Sequence, residues 1–325
     1  MGACGSQEKS RSRGELNANA TMQGTKIALI VVSCLLMLTA ALFSVYIALD
    51  RQHMKLMQET FRDAPLVTEA LPHLMIAFEK QVAADVEEGE GEPDMAGLII
   101  ETRDHHNLRG VMDNFRAKFP DVPIYIFHGL TNKDWLQERY GDDPAGVHMI
   151  PLESDNLTIQ QYNYLMTRPE LWDHIHARHV LVFQTDSVLF TNSQVQIEQY
   201  FKYDYVGAPW HTLYHYYVRN AFMFRALDKH TWAGNGGLSL RRRSTMVAIT
   251  TDVPYLSIPY AAEDVYFSNA MDQVDGVVLP TREVAARLFF ERIETDELPL
   301  GAHKYLPKTH TDLIEDNERL IINKY

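Results

Sequence analysis

Four short stretches hold residues whose types and spacing could do chemistry: QTDS ending at Ser187, GNGG ending at Gly237, EDVYF opening at Glu263, and GAHK with His303. Asp186 follows Val180, Leu181, Val182 and Phe183, a continuous apolar run of the kind found in strands covered on both faces. In open α/β sheets, ligands bind just beyond the carboxyl ends of the strands. A carboxylate at that place can hold a divalent metal, and a metal can hold a diphosphate. Asp186 also suits a turn or a helix cap. Gly234, Gly236 and Gly237 around Asn235 would let backbone come close to a ligand, or simply make a turn. Glu263 and Asp264 head an amphipathic segment, where carboxylates favour the helix macrodipole. His303 lies in a Gly-preceded loop.

The elements that must position these residues follow from periodicity. GLIIETR, from Gly97, is a short apolar strand ending in Glu101, Thr102 and Arg103. HNLRGVMDNFRAKF sets Leu108, Val111, Met112 and Phe115 at helical spacing, and PIYIFHG is a second strand. Strand, helix and strand within about thirty residues make a βαβ unit with parallel pairing and a right-handed crossover. Residues 129–147 read as polar and irregular, and HMIPLESDNL as a short strand before helical segments. LVFQTDSVLF carries Asp186; LSL after the glycines resumes a strand, RRSTMVAIT is helical, and VDGVVLP is a further strand. Residues 211–229 are long for a loop and would suit a mobile flap. Asn156-Leu157-Thr158 is an N-glycosylation sequon, usable only on a luminal, exposed segment.

The chain has 325 residues and a formal net charge of -13. Beyond residue 50 it carries 26 basic and 40 acidic groups, which disfavours nucleic acid and anionic lipid surfaces as partners. Its two cysteines, Cys4 and Cys34, both precede the globular part, so no disulfide framework is expected there. Gly2 and Ser6 in MGACGS fit N-myristoylation, with Cys4 beside them as a palmitoylation candidate. Residues 27–49 are an uncharged apolar run, long enough to cross a bilayer core of about 30 Å as a signal anchor. The basic residues Lys9, Arg11, Arg13 and Lys26 before it favour a cytosolic N-terminus and a luminal globular part. The expected organisation is a cytosolic tail 1–26, a transmembrane span 27–49, a stem and acidic linker 50–95, a globular domain 96–310 and a C-terminal tail 311–325.

Taken in order, ETR, FQTDS, YDYVGAPW, GNGGLSLR, EDVYF and LGAHK resemble an uncharacterised glycosyltransferase-like family, catalogued as a domain of unknown function, over residues 97–308. The resemblance implies an α/β, GT-A-like nucleotide-diphospho-sugar transferase fold, with a mixed, mostly parallel sheet flanked by helices. It also implies roles for individual residues. Glu101, Thr102 and Arg103 would meet the nucleotide base and ribose. Asp186 resembles the last acid of the metal-binding Asp-x-Asp, whose first acid is here Gln184, with Thr185 between them. Gln184 could hydrogen-bond a ribose. His303 resembles the C-terminal histidine that completes such a site, giving Mn²⁺ or Mg²⁺ bound with a nucleotide-sugar diphosphate. Asn235, Gly236 and Gly237 resemble the segment beside donor sugar and acceptor, and Glu263 and Asp264 stand where inverting enzymes place the catalytic base. Arg241 or Lys304 could add charge at the phosphates, and Trp210 and Trp232 could stack on sugars.

The expectation is a membrane-anchored glycosyltransferase of the Golgi or ER. It would move a sugar from a nucleotide-sugar to a glycan, lipid or protein acceptor. The replacement of an acid by Gln184 keeps a second reading open, a catalytically idle binding or interaction protein of the same fold.

Overall fold

The computed structural model describes residues 92–142, 146–210, 234–253, 255 and 262–322, apart from the side chain of Asp272. The lipidation motif, the apolar span 27–49, the stem up to residue 91, residues 211–229 and Trp232 lie outside the described residues. Among the described residues, no helix is long and apolar enough to cross a membrane.

The first half alternates strand and helix: β1 (Met95–Glu101), α1 (Leu108–Lys118), β2 (Ile124–His128), α2 (Lys133–Tyr140), β3 (Val147–Pro151), α3 (Ile159–Met166), α4 (Pro169–Asp173) and β4 (His179–Phe183). β1 pairs in parallel with β2 and β4, and β2 with β3. The second half adds β5 (Ser187–Leu189), β6 (Tyr205–Gly207), β7 (Leu238–Arg242), α5 (Arg243–Asp252), α6 (Glu263–Ala270), α7 (Arg282–Leu288), β8 (Phe289–Phe290), β9 (Gly301–His303) and α8 (Asp316–Ile322). β7 runs antiparallel between β4 and β6, giving a six-stranded sheet of order β3-β2-β1-β4-β7-β6. A small second sheet has the order β5-β9-β8.

Side chains alternate across the pleat, so each strand feeds two cores. Met95 and Ile99 of β1, Ile126 of β2, Leu181 and Phe183 of β4, and Leu240 of β7 face a layer built with α1, α7 and α8. Ala96 and Leu98, Phe127, and Val180 and Val182 face the layer of α3, α4, α5 and α6. Gly97 matters for this packing. A Cβ there would come 2.6 Å from the Phe115 ring, so only a glycine lets α1 lie this close to β1. Coverage on both faces explains why β1 and β4 read as continuous apolar runs.

The structure departs from the sequence expectations at several places. Residues 129–147 are not wholly irregular, because α2 forms there with Leu136 and Tyr140 buried one turn apart. VDGVVLP is not a strand. It turns at Gly276, whose φ is +81°, and its one sheet-like contact is Val278 against Asp204. LVFQTDSVLF is two strands in two sheets, parted at residues 184–186. Met95, assigned to the linker, begins β1. Residues 311–322, assigned to a tail, pack onto the body. Ile321 and Ile322 are buried, and buried Glu318 accepts hydrogen bonds from the Thr191 amide and hydroxyl, both at 2.7 Å.

Candidate functional site

The chain leaves β1, β2 and β3 on one side and returns through β4 on the other, so the strand order reverses between β1 and β4. Ligands in open α/β sheets bind at such a reversal, outside the carboxyl ends of the strands. A cleft of about 390 Å³ lies there, lined by Glu101, Thr102 and Arg103 after β1, by Gln184, Thr185 and Asp186 after β4, and by His105 and Tyr162.

Buried amides hold both strand ends. Asn132 donates to the carbonyls of Glu101 (2.7 Å) and Arg103 (3.0 Å) and accepts from the Gly129 amide. Asn107 donates to the Thr185 carbonyl at 3.2 Å and to that of Ile321 at 2.8 Å. Glu101 and Arg103 form a fork. Arg103 Nε and Nη2 donate to Glu101 Oε1 and Oε2 at 2.8 and 2.7 Å, while half of the Arg103 side chain stays exposed. Thr102 serves the structure: its hydroxyl accepts from Leu157 N and its carbonyl from Thr131. Burial lowers the pKa of His105 below the ordinary imidazole value, against the opposing pull of Glu101.

Asp186 meets His303 from the second sheet. His303 Nε2 lies 3.3 Å from Asp186 Oδ1, and Nδ1 lies 3.7 Å from Glu291 Oε1. Both ring nitrogens are buried; the Asp186 contact lacks the alignment of a hydrogen bond, and the Glu291 contact is too long for one. Burial alone would raise the Asp186 pKa, but His303 and Lys304 outweigh it and hold the carboxyl low. Burial would likewise lower His303, but Asp186 and Glu291 hold it high. The next residue, Lys304, takes the left-handed φ of 62°, and its amide donates to the Asp186 carbonyl at 2.9 Å.

The donor set of this pair suits a divalent metal. Two cis ligands about 2.1 Å from one divalent ion stand about 3 Å apart, close to the 3.3 Å found between Nε2 and Oδ1. His303 Nε2 is a buried donor atom without a hydrogen bond. Among the described residues, no group of three or more His, Cys, Asp or Glu side chains could hold a metal. The pair on its own offers two protein ligands, and the rest of a cation's shell would have to come from water and ligand oxygens.

The glycine turn enters beside this pair. A Cβ on Gly237 would overlap His303 Nε2 and come 2.8 Å from Gln184 Oε1; a Cβ on Gly236 would overlap Glu263 Oε1. Gly234 has a φ of +90° and lies against the carbonyls of Gly207 and Ala208. Asn235 caps the turn, its Oδ1 accepting from Gly237 N at 2.7 Å. Gln184, from the other side, donates Nε2 to the Tyr162 hydroxyl at 2.9 Å.

Glu263 and Asp264, adjacent in sequence, have different surroundings. Both Glu263 oxygens are taken by Arg241, at 2.8 and 3.0 Å. Arg241 has no exposed surface and is ringed by Tyr205, Phe267 and Trp172, with its charge 4.7, 5.1 and 5.7 Å from the ring centres. Arg241 is therefore a strut under the glycine turn rather than a cation offered to phosphates. Glu263, expected as an alternative base, is its counter-ion. Asp264 keeps part of its surface exposed and accepts from Gly236 N (3.2 Å) and Val265 N (2.8 Å). Burial, and then the Glu263 charge, push its carboxyl up to about 7. Trp210, expected to stack on sugars, is buried in the core layer of α3 to α6.

The structure thus gathers Glu101, Thr102, Arg103, Gln184, Thr185, Asp186, Asn235, Gly236, Gly237, Asp264 and His303 at one end of the sheet. His105, Tyr162 and Glu291 were not legible as part of it. The only sequence signal for the first was a His-His pair just after a strand end.

The family described as a protein of unknown function, DUF5672, matches residues 146–303, which include Asp186, the glycine turn, Asp264 and His303 but not Glu101 to Arg103. No curated protein matches the chain. Among solved structures, the crystal structure of S. aureus TarS 1–349 is similar at 9% identity and a TM-score of 0.36, over 55% of this chain and 54% of that one. The chain spans about half the length of that structure.

Proposed function

We propose that this chain is a glycosyltransferase that moves a sugar from a nucleotide-diphospho-sugar to a hydroxyl of a glycan, lipid or protein acceptor. The observation that carries this reading is the meeting, at the β1/β4 reversal, of the Asp186–His303 pair with a glycine turn backed by Asp264, whose carboxyl is pushed up by burial. Asp186 and His303 would hold Mn²⁺ or Mg²⁺, which when bound supplies Lewis-acid neutralisation of the leaving diphosphate. The half-exposed Arg103, oriented by Glu101 at the wall of the cleft, would meet the nucleotide. Gly236 and Gly237 let the turn close onto Glu263 and His303, and the donor sugar would lie beside Asn235. Asp264 takes the proton of the acceptor hydroxyl as its oxygen bonds the anomeric carbon and the diphosphate departs with the bonding electrons. A base whose pKa lies near the working pH suits that step. The membrane anchor 27–49, the luminal Golgi or ER setting and lipidation at Gly2 and Cys4 belong to the same proposal.

The alternative, a protein of this fold that binds a nucleotide-sugar without turnover, is favoured by Gln184 standing where the first acid is expected. One experiment addresses both readings. The purified protein is melted with a panel of nucleotide-sugars, with and without Mn²⁺. A donor at about 100 times its dissociation constant stabilises by about 2.7 kcal/mol, a rise of roughly 5–10 °C for a domain of this size. Asp186→Asn should abolish the Mn²⁺-dependent rise while the variant still melts cooperatively, at a lower unliganded temperature because His303 loses its charged partner. A rise that survives Asp186→Asn overturns the cation assignment. Metal-dependent binding with no transfer to any acceptor supports the idle protein.

A further inference from the structure

The buried pair His303 and Glu291 is not explained by the roles given above. β8 pairs in parallel with β9, Phe289 opposite Gly301 and Phe290 opposite Ala302. The same register carried one residue further sets Glu291 beside His303. On the other flank β5 pairs antiparallel with β9 and sets Ser187 opposite His303, with Asp186 just before it. The three-stranded sheet therefore places one imidazole between two carboxylates, each mostly buried, and each faces a different ring nitrogen. Nε2 faces Asp186 and the glycine turn, and Nδ1 faces Glu291. A histidine that ligates through one nitrogen commonly has the other held by a carboxylate, which fixes its tautomer and ring angle.

We propose that Glu291 is a positioning residue: it holds His303 by Nδ1 so that Nε2 and Asp186 Oδ1 together face a divalent cation. This rests on the cation reading of Asp186 and His303. Glu291 lies on the far side of the ring from Nε2 and so acts through His303 rather than as a third ligand. The second sheet then has a purpose of its own. Three short strands, outside the main sheet, bring a strand-end acid, a distant histidine and that histidine's holder into line.

The test measures binding of Mn²⁺ alone to the full-length protein in detergent, read from the free-ion signal in electron paramagnetic resonance. Glu291→Ala should weaken binding 10–100-fold, the usual loss for an outer carboxylate. Glu291→Gln, which keeps a polar oxygen facing Nδ1 but loses the charge, should fall between it and the parent. Asp186→Asn should remove binding. Melting without metal checks each fold, and if Glu291→Ala does not fold, Glu291→Gln carries the comparison. Parent-like affinity in the Glu291 variants, with binding lost in Asp186→Asn, overturns the positioning role and leaves the cation site standing. No binding by the parent protein at millimolar Mn²⁺ overturns the cation reading, and this proposal with it.

Discussion

Replacing Asp264 with Asn should make the protein's stability less sensitive to pH between 4 and 8. The Asp264 carboxyl is pushed up to about 7 by burial and by Glu263, from an ordinary value of 3.8. The folded state thus binds this proton more tightly than the unfolded chain does. The stabilisation from the neutral acid is complete below the unfolded value and is lost as pH rises through about 7. Three pH units correspond to about 4 kcal/mol, and partial exposure of the side chain halves that to about 2 kcal/mol. An asparagine side chain cannot ionise, so the variant escapes this loss.

Asn also carries one carbonyl oxygen where Asp264 offers two, to the amides of Gly236 and Val265. One of those hydrogen bonds is lost at every pH, at a constant cost of about 1–3 kcal/mol. The signature is therefore the slope and not the offset. In urea unfolding followed by tryptophan fluorescence, the gap between variant and parent should move by about 2 kcal/mol in favour of the variant from pH 4 to 8. With a urea slope of about 2 kcal/mol/M, that is a relative midpoint shift of about 1 M. A gap that stays flat across this range would show that Asp264 titrates as an ordinary carboxyl, and the argument that the fold tunes it as a base near neutrality would fail.

Two further predictions separate the strut from the site. Glu263→Ala leaves the fully buried Arg241 without its bidentate partner and should cost about 3–5 kcal/mol in urea unfolding; a loss under 1 kcal/mol would mean that the aromatic ring around Arg241 suffices. Gly237→Ala sets a methyl group against His303 and Gln184 and should cost about 1–3 kcal/mol while removing the Mn²⁺-dependent thermal shift; a retained shift would show that the turn is not part of the cation site.

The parts of the fold that were legible are those whose pattern is local. β1, α1 and β2 show in two short apolar runs and, between them, the helical spacing of Leu108, Val111, Met112 and Phe115. α2 was hidden because six of the eight residues of KDWLQERY are not buried, leaving too little of an apolar face to notice. VDGVVLP misled because three valines carry strand propensity, yet the chain turns at Gly276 and meets the sheet edge at Asp204, just before β6, without forming a ladder. The site was half legible for the same reason. Asp186 and the glycines announce themselves by type and place. That Glu263 belongs to Arg241 and Glu291 to His303 depends on pairings 22 and 12 residues apart, which only the assembled sheets decide.

Gln184, the departure from the expected acid pair, takes on a meaning once its partner is known. Its Nε2 donates to the Tyr162 hydroxyl, so that oxygen acts as an acceptor and keeps its own proton to give. A carboxylate at 184 would do the reverse and consume the tyrosine proton. It would also put another negative charge among Asp186, Asp264 and Glu263, when the Glu263 charge already helps hold Asp264 near 7. The amide therefore exchanges anionic charge at the cleft for a hydroxyl donor on its wall, next to where a ligand's ribose or diphosphate oxygens would lie. A site with one strand-end acid and one imidazole has less anionic charge to bind a cation alone. If a diphosphate supplied the rest of the cation's shell, cation and nucleotide should each tighten the other's binding, with the cation alone still held at millimolar concentration.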